Sequence, residues 1–241
     1  MKIKGWDLSF FSSGEWQAAD ERLKDLEKIA SPIGHKYPAF APGRKQLFAA
    51  LRAIPAAEVR CVIVGQDPYP TTGHATGLAF DVSPDIGYDD LPPTSQRFLE
   101  EYSRDLGLSR PPDGNISEWS SRGVLLWNAI PSCRVGHSLS HDWPEWALLT
   151  GEIVRTLAKK GIVFALLGQV ARRYSGLISD TNNAVVVTSH PSPRGAVASK
   201  SPFVGSRLFS TINDKLNDLA LEPIDWRLRH EQKHQGSSGK G

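Results

Sequence analysis

The feature that most restricts what this chain can fold into is an alternation. Four short apolar runs, "VRCVIVG" (59–65), "GVLLWN" (123–128), "IVFALLG" (162–168) and "AVVVTSH" (184–190), are separated by segments with helical periodicity. Runs that stay apolar, without a polar residue at every second position, suit strands buried on both faces, and strands joined through helices imply a parallel sheet. The helical segments are "GEWQAADERLKDLEKIA", "GRKQLFAALRAI", "TSQRFLEEYSRDLG", "EWALLTGEIVRTLAKKG", the stretch from Gln169 to about Leu177, and "SRLFSTINDKLNDLA". The expectation is an α/β fold: a single domain with a central four-stranded parallel sheet flanked by helices on both faces.

A chain of 241 residues that is 40% hydrophobic can bury a full core. Nothing inside it reads as an interdomain linker, so one domain spans residues 1–228, and the polar, Gly/Ser-rich "RHEQKHQGSSGKG" (229–241) is expected to be a disordered tail. No run approaches the roughly 18 apolar residues of a membrane span, and "MKIKGWDLSF" lacks the apolar core of a signal peptide, which makes the cytoplasm the expected location. Cys61 and Cys133 cannot build a disulfide framework and read as reduced thiols. The net charge of +2 does not by itself announce a polyanion partner, but residues 190–210 carry Arg194, Lys200 and Arg207 with no acid, which would leave one basic face.

In an open parallel sheet, ligands bind at the carboxyl ends of the strands. Here those ends are polar: Gly65-Gln66-Asp67, Asn128, Gly168-Gln169 and Ser189-His190. A carboxylate, an amide and an imidazole meeting at one edge are the set needed to handle a polar heterocycle. Each also has an ordinary role, since Asp and Asn are common turn residues and a histidine before proline packs readily. Other chemistries lack their parts. "GQDPYP" has no P-loop lysine, no G-x-G-x-x-G follows a strand, and no G-x-S-x-G presents a serine nucleophile. "HSLSH" sets His137 and His141 four apart, but it lacks the glutamate of a zinc-protease helix and falls in a loop, so no metal is expected there.

Taken together, the strand ends resemble those of the family 1 uracil-DNA glycosylases over residues 38 to 226. The water-activating motif GQDPY stands as Gly65-Gln66-Asp67-Pro68-Tyr69, "GLAF" ends in Phe80, "LLWN" in Asn128, and "HPSP" holds His190 and Ser192. The resemblance implies a monofunctional enzyme that hydrolyses the N-glycosidic bond of uracil in DNA by base flipping and leaves an abasic site, without metal or organic cofactor. It casts Asp67 as the group that orients or activates water and His190 as the donor to the uracil anion. Gln66, Tyr69, Phe80 and Asn128 would bind uracil, and Thr94 of "LPPT", Gly168, Gln169, Ser192 and Arg194 would bind DNA. The implied partners are uracil-containing DNA, single- or double-stranded, and a DNA-mimicking inhibitor protein. A monomer is expected, with no membrane association. A glycosylase for another damaged base, or an accessory DNA-binding protein on the same fold, stay open as alternatives.

Three positions depart from the family pattern. Arg194 stands where a leucine commonly wedges into the base stack, in a loop that reads longer than usual, and this favours single-stranded substrate. Gln169 follows Gly168 where the family has serine, and Pro70 follows Tyr69 where many relatives have histidine.

Overall fold

The computed structural model describes residues 2–8, 13–30, 39–178, 182–193, 195 and 200–229. Arg194 and residues 230–241 of the expected tail lie outside the described residues.

A small antiparallel pair, β1 (Lys2–Ile3) and β2 (Trp6–Asp7), precedes helix α1 (Ser13–Ala30). β3 (Phe40–Ala41) and α2 (Ala49–Ala53) lead into β4 (Cys61–Gly65). There follow α3 (Pro93–Leu106), β5 (Val124–Asn128), β6 (Cys133–Arg134), α4 (Pro144–Ala158), β7 (Val163–Leu167), α5 (Gln169–Arg172), β8 (Ala184–Thr188) and α6 (Leu208–Asp218). The four long strands form one sheet in the order β5-β4-β7-β8, parallel at every pairing. After β4 the chain steps to one side for β5, then returns to β4's other side for β7. That reversal opens a crevice beyond the carboxyl end of β4.

The strands alternate between two cores, as the period of a pleated strand requires. Val62, Val64, Leu125, Trp127, Phe164 and Leu166 pack on one face with Leu23 of α1, Leu51 of α2 and Leu149, Ile153 and Leu157 of α4. Cys61, Ile63, Val124, Leu126, Val163 and Ala165 pack on the other with Phe98 and Tyr102 of α3 and Phe209 and Ile212 of α6. The helices start and stop by local chemistry. α3 and α4 carry proline in their first turn, where its missing N–H costs nothing, and α3 ends on the left-handed Gly107.

Two helices differ from expectation. "GRKQLFAALRAI" is not one helix but a 3-10 turn over Arg44–Gln46 followed by the short α2. The break lies where Gly77 presses on the Gln46 carbonyl so closely that a β-carbon at residue 77 would sit 2.0 Å from its oxygen. The segment after β7 is likewise α5 followed by a 3-10 turn over Ser175–Leu177, with the weak helix former Gly176 inside it. Among the described residues, no helix is long and apolar enough to cross a membrane.

Candidate active site

The parallel register sets Gly65 of β4 beside Asn128 of β5. Beyond the strand ends the ladder continues through Ala129 N–H to the Gly65 carbonyl at 3.0 Å and Ile130 N–H to the Gln66 carbonyl at 2.9 Å. Gly65 is the floor of the site. A β-carbon there would lie 2.8 Å from Asn128 Oδ1 and 3.1 Å from Phe80 Cε2, so only glycine lets the amide and the ring converge. Asn128 is buried, and among the described residues its side-chain amide makes no hydrogen bond.

Phe80 is held in a left-handed backbone conformation, φ 64°, which is costly for a bulky residue. Three interactions fix it there. Its ring stacks on Phe98 at 4.7 Å, Tyr69 Oη donates to its carbonyl at 3.4 Å, and the adjacent Ala79 N–H reaches the Leu126 carbonyl at 3.1 Å. Phe98 in turn stacks on Phe203 at 5.8 Å, so the platform is several rings deep. Burial pushes the Tyr69 hydroxyl well above its ordinary range, and it stays neutral.

His190 faces Phe80 with ring centroids 5.8 Å apart. It packs against Gly168, where a β-carbon would fall 2.8 Å from His190 Cβ. Burial drives the imidazole down to about 4, against the opposing pull of the Asp67 carboxylate, so at neutral pH the ring is uncharged. The loop that follows is closed at its base. Ser189 N–H bonds the Ser201 carbonyl at 2.8 Å, and Ser189 Oγ accepts from Phe203 N–H at 2.9 Å.

Asp67 is gripped from a direction the motif does not reveal. Gln66 Nε2 donates to Oδ1 at 2.9 Å, Ser138 Oγ lies 3.0 Å from Oδ1 and 2.8 Å from Oδ2, and Leu139 N–H donates to Oδ2 at 2.6 Å. Ser138 and Leu139 belong to "HSLSH". Its histidines do something else: His141 is buried, bonded to Ser132 Oγ at 2.9 Å and stacked on Trp143 at 4.2 Å, while His137 reaches the Val135 carbonyl at 3.1 Å. Among the described residues no group of three or more His, Cys, Asp or Glu could hold a metal ion.

The remaining sequence-predicted positions border this centre. Thr94 is half-buried in the first turn of α3, and its neighbour Ser95 lies by the Tyr69 hydroxyl. Ser192 is half-buried in the turn after His190 and accepts from Gly195 N–H at 3.1 Å. Gly168 and Gln169 line a hollow of about 450 Å³ together with Gln66, His190, Arg172 and Lys200, and among the described residues no acid lines it. Arg172 escaped the sequence reading. So did Asp81, a buried carboxyl next to Phe80 that accepts from Thr76 Oγ1 at 2.5 Å and Ile116 N–H at 2.7 Å. Burial pushes Asp81 up to about 6 in spite of those bonds.

This geometry can be set beside known proteins. The family model described as the uracil DNA glycosylase superfamily matches residues 52–217. A Mycolicibacterium smegmatis protein named uracil-DNA glycosylase is 39% identical over 195 residues, covering 78% of this chain and 84% of the relative. One from Mycobacterium tuberculosis, with the same name, is 38% identical over 224 residues, covering 88% and 94%. Among solved structures, mimivirus uracil-DNA glycosylase superposes with a TM-score of 0.72 at 20% identity over 93% of this chain and 90% of that one, a likeness of fold. A mimivirus UNG variant in complex with UGI gives 0.71 at 20% identity, over 95% and 97%.

Proposed function

The chain belongs to the uracil-DNA glycosylase superfamily, and from that premise we propose how its strand ends excise uracil from DNA. The observation that carries the reading is the convergence of Asn128 and Phe80 on Gly65, with His190 facing Phe80 and Asp67 acting on His190.

A base within a duplex is out of reach, so the nucleotide is flipped into the site. Asn128 reads its edge. The amide accepts from N3–H and donates to O4 of uracil, whereas cytosine presents the reverse pattern and would leave both groups mispaired. Phe80 stacks on the base, a contact worth about 1–3 kcal/mol. Tyr69 lies against C5 and excludes the methyl of thymine.

The bond between C1′ and N1 breaks with its electron pair leaving on uracil, and the sugar gains oxocarbenium character. Neutral His190 donates a hydrogen bond to O2, where the negative charge gathers. Ionised Asp67 stabilises the sugar and orients the water whose oxygen bonds C1′; the water's proton passes to the carboxylate. Thr94, Ser192, Gly168 and Gln169 meet the DNA backbone, with Arg172 and Lys200 supplying charge that positions phosphate without reading sequence. Arg194 takes the place of the leucine wedge, and single-stranded DNA is the favoured substrate. In this reading the enzyme acts as a monomer. An inhibitor protein that mimics DNA belongs to the same reading, supported by the mimivirus UNG solved in complex with UGI.

The test is alkaline cleavage of end-labelled oligonucleotides carrying one uracil in single-stranded DNA, opposite guanine or opposite adenine. Excision is expected on all three, fastest on the single strand. Absence of excision on every substrate would overturn the proposal.

A further inference from the structure

We propose that Ser138, together with the Leu139 amide, is the positioning element for the Asp67 carboxylate, a role that rests on the reaction described above. An ionised carboxylate offers roughly four lone-pair directions to donors. Gln66 Nε2 takes one on Oδ1, Leu139 N–H takes one on Oδ2, and the Ser138 hydroxyl spans the two oxygens at 3.0 and 2.8 Å. With three directions filled, the orientation of the carboxylate is fixed and one direction is left for the attacking water. Gln66 Nε2 also approaches Ser138 Oγ at 3.4 Å, so the donors form a closed ring around Asp67.

The backbone is shaped for this task. Leu139 sits at φ 61°, a conformation that costs a branched side chain free energy, yet the residue is 43% exposed and is not buried in the core in exchange. What the conformation supplies is the 2.6 Å bond from Leu139 N–H to Asp67. Ser140 braces the turn, accepting from Arg134 N–H at 2.7 Å and donating to the His137 carbonyl at 2.7 Å. Two further bonds stitch the turn to the GQDPY loop: Gly136 N–H to the Pro70 carbonyl at 3.0 Å and Cys133 Sγ to the Pro68 carbonyl at 3.4 Å. The whole segment from Cys133 to Leu139 is therefore a second loop clamped on the first.

The experiment measures single-turnover rate and KM on single-stranded uracil DNA for the wild-type chain, Ser138→Ala and Ser138→Thr, with thermal melting of each. Loss of one hydrogen bond to an ionised group predicts a rate about tenfold to a hundredfold lower in Ser138→Ala, with KM within about twofold. Threonine, which keeps the hydroxyl, is expected to restore most of the rate. Ser138 is exposed, so the melting temperature is expected to stay unchanged. A Ser138→Ala rate equal to wild type, a loss confined to KM, a failure of threonine to rescue, or a fall in melting temperature would each overturn the assignment. Failure of the glycosylase reading looks different, because then the wild-type chain itself releases no uracil.

Discussion

Asp67 and His190 both stand beyond strand ends of the sheet, near enough for the carboxylate to act on the imidazole, yet the first is held by donors from Gln66, Ser138 and Leu139 while the second, among the described residues, makes no ring hydrogen bond and is held by Gly168, Phe80 and burial. In the proposed mechanism the difference follows the charge state each must keep. A carboxylate that works ionised needs donors to replace the water it loses. An imidazole that works uncharged needs only to be kept dry. The Asp67 side of the site is thus built from polar turns, and the His190 side from aromatic packing and close-fitting glycines.

The largest expected effect attacks the polar side. Asp67→Asn keeps the shape but removes the charge, and a loss of about 10²- to 10⁴-fold in single-turnover rate is expected on uracil DNA. On the dry side, His190→Ala removes the donor proposed for the leaving group and is expected to cost about 10²- to 10³-fold. Because burial holds the imidazole at about 4, the wild-type rate should show no inflection near pH 6.5 that disappears in this variant. Such an inflection would place His190 in a wet environment and erase the contrast.

A subtler probe is Gly65→Ala. Its β-carbon would come 2.8 Å from Asn128 Oδ1 and 3.1 Å from Phe80, so the space proposed for the base shrinks while the grip on Asp67 is untouched. Overpacking of this kind costs about 1–3 kcal/mol, and uracil inhibition measured against the wild type should weaken by a matching factor. Unchanged inhibition would mean that the pocket does not lie above Gly65.

The smallest effect is on stability. His190, depressed to about 4, contributes stability that is present above its unfolded value of 6.5 and is lost as pH falls toward 4. Asp81, raised to about 6, has the opposite sign: its contribution is present below the unfolded value of 3.8 and is lost as pH rises through 6. The two slopes oppose each other between pH 4 and 6. Asp81→Asn removes the falling leg, so denaturant unfolding of that variant should show stability climbing more steeply with pH across this window.

The sheet and the strand-end residues were legible in the sequence because both depend on short-range pattern: apolar runs set the strands, and the polar residue after each run falls at the edge. The clamp on Asp67 was not. It joins residues distant in the chain through a left-handed leucine and a backbone N–H, neither of which leaves a mark in residue type, and "HSLSH" drew attention to its histidines instead of Ser138. Asp81 was missed for a similar reason, since only the assembled fold shows that the residue after Phe80 is buried. The broken second helix was not legible either, since the close approach of Gly77 to the Gln46 carbonyl at the break involves another loop.

The two free thiols mark the two levels of this architecture. Cys61 is fully buried in the central strand, and Cys133 lies beneath the loop that carries Asp67. Burial pushes the Cys61 thiol far up and that of Cys133 to about 12, so neither is a nucleophile in the closed protein. Each reacts with an alkylating reagent only when its surroundings open, which makes the pair a built-in clock. Labelling at Cys61 times the opening of the sheet itself, and labelling at Cys133 times the parting of the two loops around the carboxylate.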